Sequence, residues 1–127
     1  MAAPLTVLYV DDDADIREAA AYSLELDGRI EVHVAESGEA ALARIGQGLR
    51  PDVILLDVMM PVLDGPGTLA RIRDRPEVKD VPIIFVTAGA TSAERARLRA
   101  ADVRGVITKP FDPLTLAWRV RTLIGAV

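Results

Sequence analysis

The sequence predicts an α/β domain in which a doubly wound parallel sheet carries helices on both faces. Short runs of β-branched and aliphatic residues alternate five times with stretches of helical periodicity along the 127 residues. Four of the five runs are mostly apolar, as in parallel strands that are covered on both faces. Because repeated strand–helix units join parallel strands through right-handed crossovers, the pattern favours one five-stranded sheet between two helical layers.

The predicted strands follow directly from the apolar runs. The second run, IEVHV, alternates polar and apolar residues, which indicates an edge strand with one solvated face. In chain order, we assign the strands to residues 5–10, 30–34, 52–56, 82–87 and 105–108.

The predicted helices lie after these strands, and capping residues mark several of their ends. Gly28 is a candidate C-cap for the first helix, and Ser37 is a candidate N-cap for the second. The fifth helix opens with Asp112 and Pro113, a favourable pair for the N-cap and the first helical position. In chain order, we assign the helices to residues 14–28, 37–48, 67–75, 92–101 and 112–125.

The composition is that of one globular domain. Half of the residues are hydrophobic, and the absence of cysteine excludes disulfides and cysteine zinc sites. The amino-terminal segment has no basic region, and its apolar run is too short for a membrane span. We therefore expect a cytoplasmic protein with no membrane partner.

The net charge of −4 hides an uneven distribution. Residues 1–91 hold eight basic and sixteen acidic side chains, whereas residues 92–127 hold seven basic and three acidic ones. The acidic first part argues against direct nucleic-acid binding. The basic last quarter predicts a separate binding surface.

Polar side chains follow four of the predicted strands. Asp11 and Asp12 come after the first strand, Asp57 after the third, Thr87 ends the fourth, and Lys109 follows the fifth. With a strand order of 2-1-3-4-5, these strands are neighbours at ~4.8 Å spacing, and their carboxyl ends are where open α/β sheets bind ligands. We expect the five side chains to converge.

Three carboxylates in one pocket require a cation. Asp11, Asp12 and Asp57 together carry a charge near −3, which favours a hard, oxygen-seeking, octahedral ion, and Mg²⁺ is the natural choice. Asp13 is instead expected to point away and to cap the first helix.

Four sequence motifs lie at the strand ends: VDDDADIR at 10–17, VILLDVMMPVLDG at 53–65, IIFVTAG at 83–89 and VITKPF at 106–111. Together they resemble the receiver domain of bacterial two-component response regulators, and the resemblance covers nearly the whole chain. It implies a flavodoxin-like fold and a single receiver domain over residues 1–127, without an effector domain.

The resemblance also implies a role for each site residue. Asp57 is the phosphoacceptor, and Asp12 holds Mg²⁺ with the Met59 backbone carbonyl, Asp11 acting through water. Thr87 and Lys109 bind phosphoryl oxygens.

Two further expectations concern the fifth strand. The resemblance implies a cis bond between Lys109 and Pro110. Val106 stands where family members usually carry a Tyr or Phe that moves inward as Thr87 closes on the phosphoryl group, and one stiff valine rotamer cannot reproduce that movement. Gly105 is expected to leave a small or absent side chain on the same surface.

The resemblance predicts a phosphoacceptor signalling domain. It would take a phosphoryl group from a sensor histidine kinase or a phosphotransfer protein and signal through changed protein–protein contacts. It would catalyse only its own phosphotransfer and dephosphorylation.

Three alternatives remain open. The first is a receiver-fold interaction module that is never phosphorylated in use. The second is a phosphatase with an aspartate nucleophile, although Asp15 stands where its motif needs Thr or Val. The third is a flavodoxin-like FMN protein, whose phosphate the aspartate run would repel.

The predicted output surface is basic and is formed by the fourth helix, fifth strand and fifth helix. The same surface could bind a downstream protein or a second copy of the chain. Trp118 lies about 200° from the core-facing Leu116 on the helical wheel, which turns it away from the core, either as a binding anchor or packed along the fourth helix. The predicted surface residues are Arg95, Arg99, Arg104, Trp118, Arg119 and Arg121.

Overall fold

The computed structural model describes residues 4–89 and 91–126 and contains the five-stranded sheet that the sequence predicts. All neighbouring strands are parallel, in the order β2-β1-β3-β4-β5, and helices cover both faces. The predicted fold is therefore confirmed. The strands are β1 (Leu5–Val10), β2 (Ile30–Ala35), β3 (Val53–Asp57), β4 (Ile83–Thr87) and β5 (Gly105–Thr108).

Five helices follow the five strands. Two of their starts carry the caps that the sequence predicts: Asp13 accepts hydrogen bonds from the backbone N–H groups of Asp15 and Ile16, and Ser37 accepts one from that of Ala40. The helices are α1 (Ala14–Glu25), α2 (Gly38–Gly46), α3 (Gly65–Arg73), α4 (Ser92–Ala100) and α5 (Leu116–Ile124).

Two predicted helix ends are wrong by at least three residues, and the others differ by no more than two. The first helix ends at Glu25, and Gly28 is not its cap, because Asp27 forms a turn in which its side chain accepts the Arg29 N–H. At the fifth helix, Asp112 accepts the Leu114 N–H in a turn that precedes the helix, which begins only at Leu116. In both cases an aspartate that favours turns shortens the helix.

The core forms two layers, one on each face of the sheet. Alternation along β1 sends Val7 and Tyr9 to the face covered by α1 and α5, whereas Leu8 and Val10 face α2 and α3. Both layers consist mainly of aliphatic side chains that are fully removed from water. No helix among the described residues is long and apolar enough to cross a membrane.

The two helices beside β5 are attached differently. Helix α4 has no fully buried residue and packs on the core through the partly buried Leu98, whereas α5 buries Leu116 and Val120. Gly105 of β5 lies under α5, where an added Cβ would come within 2.8 Å of a Leu123 methyl group. Gly105 has no side chain on this surface, as expected, and Leu123 packs over its backbone.

Candidate functional site

The polar residues that end or follow the strands meet at the carboxyl edge of the sheet. Carboxylate oxygens of Asp11, Asp12 and Asp57, called the acidic cluster below, lie within 4.8 Å of one another. Asp11 is fully buried and Asp57 is 4% exposed, whereas Asp12 is open to solvent. Strand pairing produces this arrangement because β1 and β3 are direct neighbours whose ends lie at the same edge.

Lys109 lies at the centre of this group. Its Nζ is 2.7 Å from Asp11 Oδ2 and 3.1 Å from Asp57 Oδ1, with only 11% of the side chain exposed. Its backbone N–H donates to the Thr87 carbonyl at 2.7 Å, and the bond to Pro110 is cis, as expected. Thr87 itself is buried at the end of β4, the strand beside Asp57.

Two residues that the sequence did not single out hold Asp11 in place. The Tyr9 hydroxyl donates to Asp11 Oδ2 at 3.0 Å, and Arg17 Nη1 donates to the Asp11 carbonyl oxygen at 2.8 Å. The backbone N–H of Asp13 donates to Asp11 Oδ1 at 3.0 Å. A tyrosine two positions before Asp11 in a strand points to the same side, and this spacing was an available signal.

The acidic cluster is electrostatically crowded. Burial raises the pKa of Asp57 to about 6; the Lys109 amine opposes this shift, and the charges of Asp11 and Asp12 add to it. Burial acts to lower the pKa of Lys109, but hydrogen bonds to Asp11 and Asp57 outweigh it and the pKa is raised. The site holds three carboxylates against one amine, which is the condition that a divalent cation relieves.

The donor set fits a hard cation. The three ligands of the acidic cluster are carboxylate oxygens, close enough to share one ion, and Asp12 is open to solvent. Met59 lies in the loop directly after β3, with its side chain 76% exposed. The described residues of this edge therefore form a site that could bind a metal ion.

The loop after β3 has one residue with positive φ, Val62 at 69°. Gly65, where this loop meets α3, is needed for space, because an added Cβ would lie 2.6 Å from the Asp57 carbonyl oxygen. The backbone that carries Asp57 therefore rests directly on the start of α3.

Val106 lies inside the core rather than at the site. It is 9% exposed, pairs in register with Phe85, and belongs to the core layer that α4 covers through Leu98. A residue at this position thus connects the sheet to α4.

The residues of the predicted output surface fall into two groups. Trp118 is 63% exposed, as predicted, and Arg99 and Arg104 are exposed, with Arg95 and Arg119 half-buried. Arg121 does not belong with them. Its Nε donates to Asp27 Oδ2 at 2.7 Å and its Nη2 to Oδ1 at 3.3 Å, so its guanidinium is bound to the turn after α1.

This fold, with aspartates, a threonine and a lysine at the carboxyl edge, defines a receiver domain of two-component signalling. The family model described as "Response regulator receiver domain" matches residues 7–121. The chain therefore belongs to the response regulator receiver family.

Curated relatives agree with this assignment. The transcriptional regulatory protein CseB of Streptomyces avermitilis is 40% identical over 124 residues, covering 98% of this chain and 51% of the relative. The chain thus spans about half the length of such relatives. An uncharacterized 14.6 kDa protein of Leptolyngbya boryana is 36% identical over 114 residues, covering 90% of this chain and 86% of that protein.

Solved structures agree as well. The chemotaxis protein CheY4 of Vibrio cholerae has a TM-score of 0.84 at 34% identity, covering 95% of this chain and 99% of that one. A protein of Chloroflexus aurantiacus whose structure is described as that of a response regulator has a TM-score of 0.85 at 35% identity, covering 96% of this chain and 98% of that one.

Proposed function

We propose that the chain is a phosphoacceptor signalling domain in which Asp57 receives a phosphoryl group from a sensor histidine kinase or a phosphotransfer protein. The observation that carries the proposal is the position of Asp57. Its carboxylate lies at the carboxyl edge of the sheet, within reach of Lys109 and beside Asp11 and Asp12. A cytoplasmic location is proposed with it, since the phosphodonor proteins act there.

The proposed step is an in-line displacement at phosphorus. A carboxylate oxygen of Asp57 forms the new bond to phosphorus while the bond from phosphorus to the histidine nitrogen breaks. The electron pair of that bond stays on the imidazole. Lys109, which lies 3.1 Å from Asp57, and Thr87 at the end of β4 would bind the equatorial oxygens, and positioning with charge neutralisation would supply most of the catalysis.

The acidic cluster and the Met59 backbone carbonyl are the groups that would hold Mg²⁺. When bound, the ion neutralises negative charge on the phosphoryl oxygens. We propose Mg²⁺ over softer metals because the three side-chain ligands are carboxylate oxygens. The chain would act as an enzyme only in its own phosphotransfer and dephosphorylation.

The test is intact-mass measurement after treatment with a small-molecule phosphodonor and Mg²⁺. We expect a single addition of about 80 Da, the mass of one phosphoryl group. Asp57→Asn should abolish the addition, as should excess EDTA, while Asp64→Asn, which changes the N-cap of α3, should keep it. An unmodified parent chain would instead indicate an interaction module, and turnover of free phosphomonoesters would indicate a phosphatase.

We propose that the signal leaves through α4, β5 and α5. Helix α4 is the least buried helix of the described residues and carries Arg95 and Arg99 one turn apart. Trp118 of α5 offers an exposed aromatic anchor of the kind that dominates protein interfaces. The partner would be an acidic downstream protein or a second copy of the chain.

Binding or self-association of a Trp118→Ala chain and of an Arg95→Glu/Arg99→Glu chain tests this surface. Both should still accept phosphate and should lose partner binding. Tyr22→Ala removes an exposed aromatic residue of α1 and serves as the control. Normal binding by both variants would contradict the proposed surface.

A further inference from the structure

The buried hydroxyl of Tyr9 lies directly beneath the acidic cluster. Tyr9 is fully buried in β1, and its hydroxyl donates to Asp11 Oδ2 at 3.0 Å. Lys109 Nζ lies 2.7 Å from the same oxygen. Tyrosine and lysine therefore share one oxygen of a fully buried carboxylate.

The ring of Tyr9 alone does not explain the hydroxyl. The ring fills space in the core layer beneath α1 and α5, beside apolar residues such as Leu24 and Leu116. A phenylalanine would fill the same space without placing an oxygen against a carboxylate. The hydroxyl is thus the part of the side chain that acts on the site.

Lys109 has two tasks that compete. At rest it neutralises Asp11 and Asp57, with contacts of 2.7 and 3.1 Å. The proposed function requires the same amine to bind a phosphoryl oxygen, which draws it from Asp11. Without the Tyr9 hydroxyl, a buried Asp11 that lost Lys109 would keep only the Asp13 N–H, which donates to its other oxygen, Oδ1, and would be poorly satisfied.

We propose that Tyr9 is a positioning residue that holds Asp11 when Lys109 moves to the phosphoryl group. The hydroxyl keeps a second donor on the buried carboxylate, so the transfer of Lys109 leaves Asp11 in place and partnered. This inference rests on the proposed function of Asp57. The residue touches neither phosphorus nor donor and acts through Asp11.

The experiment compares Tyr9→Phe with Tyr22→Phe, which removes the hydroxyl of an exposed tyrosine on α1. At saturating Mg²⁺, the rate of phosphorylation by a small-molecule phosphodonor should fall about 5- to 10-fold in Tyr9→Phe, as for the loss of one hydrogen bond of ordinary net strength. Tyr22→Phe should match the parent chain. Beryllofluoride, a mimic of the phosphoryl group, should bind Tyr9→Phe more weakly by a similar factor.

Two measurements separate positioning from a structural role. Affinity for Mg²⁺ alone, measured by calorimetry, should match that of the parent, since Lys109 has no phosphoryl group to bind. In an Asp11→Asn background, Tyr9→Phe should have no further effect on beryllofluoride affinity, because the hydroxyl acts through that carboxylate. An equal loss in both backgrounds, or a large loss of Mg²⁺ affinity, would overturn the proposal.

Failure of this inference is distinct from failure of the proposed function. If the parent chain is phosphorylated on Asp57 and Tyr9→Phe reacts equally fast, Tyr9 is a core residue only. Should Tyr9→Phe not fold, 3-fluorotyrosine in the Tyr22→Phe chain places a single probe at position 9. Its fluorine resonance should shift when beryllofluoride is added to the Mg²⁺-saturated protein, and an unchanged resonance would contradict the proposal.

Discussion

Two regions of this molecule differ in how many carboxylates each basic side chain must neutralise. The acidic cluster sets three carboxylates against the single amine of Lys109. Between α1 and α5, Asp27 meets one guanidinium, that of Arg121, through two hydrogen bonds of 2.7 and 3.3 Å. The pKa of Asp57 is raised by burial, whereas that of Asp27 is lowered by its hydrogen bond to Arg121.

The opposite pKa shifts of Asp27 and Asp57 show which of the two ionised carboxylates stabilises the fold. A lowered carboxyl pKa means that the ionised form is favoured by the folded state, and a raised one means that it is disfavoured. At neutral pH, Asp27 therefore stabilises the fold, and Asp57 destabilises it until a cation arrives. Folding alone does not account for the acidic cluster, whose composition suits the proposed chemistry.

The largest expected effect is that of Lys109→Ala in the metal-free protein. Removing the amine leaves buried Asp11 and Asp57 without their cation, which should lower the free energy of unfolding by roughly 3 kcal/mol. Urea denaturation measures the loss, and Mg²⁺ should restore part of it. Lys79→Ala, an exposed lysine on another loop, serves as the control. Equal stability of Lys109→Ala and Lys79→Ala would contradict the view that Lys109 neutralises the buried carboxylates.

The second effect has the opposite sign. Asp57→Asn removes one of three crowded charges. Because the pKa of Asp57 is raised to about 6, its ionisation at pH 7 destabilises the folded state. The free energy of unfolding of the metal-free variant should therefore rise by about 1–2 kcal/mol. The lost charge-assisted bond to Lys109 offsets part of the gain. Thermal unfolding with EDTA measures it. The parent chain should match the variant more closely as the pH falls below 6, because Asp57 is then protonated.

The smallest effect is that of Asp27→Asn. The ion pair of Asp27 with Arg121 is partly exposed, so the variant's free energy of unfolding at pH 7 should fall by only about 0.5–1 kcal/mol. Because the folded-state pKa of Asp27 lies below its ordinary value of 3.8, this stabilisation is present above that value and disappears as the pH falls through the lowered pKa. Unfolding at pH 7 and at pH 3 measures the change. A variant that loses as much at pH 3 as at pH 7 would contradict the charge argument, and Glu18→Gln provides the control.

The fold and the convergence of Asp11, Asp12, Asp57 and Lys109 could be predicted because each rests on a strong local signal. Apolar runs locate the strands, and parallel order then brings their carboxyl ends together whatever the loops do. The reach of Lys109 to Asp57 follows from strand spacing and the length of its stem, and the observed contact is 3.1 Å. The convergence of the strand ends and the contact between Lys109 and Asp57 thus follow from strand order and spacing, without knowledge of how side chains pack.

The missed features depend on contacts between distant parts of the chain. Arg121 pairs with Asp27, 94 positions earlier, and nothing near either residue indicates the partner. Gly65 is explained by the backbone of Asp57 across the loop, which only the folded loop places against it. Tyr9 is the exception, since it lies in β1 only two positions before Asp11, although the apolar run around it gives no sign of a polar role for its hydroxyl.

The contact between Gly105 and Leu123 links two positions in sequence variation. Leu123 occupies the space that a side chain at 105 would need, with its methyl groups 2.8 and 3.1 Å from the place of a Cβ. A lineage that acquires alanine or a larger residue at 105 must therefore move the Leu123 methyl groups, shorten residue 123 or displace α5. Homologous chains should pair glycine at 105 with a large residue at 123, and a side chain at 105 with a small one. The two positions should evolve as one unit.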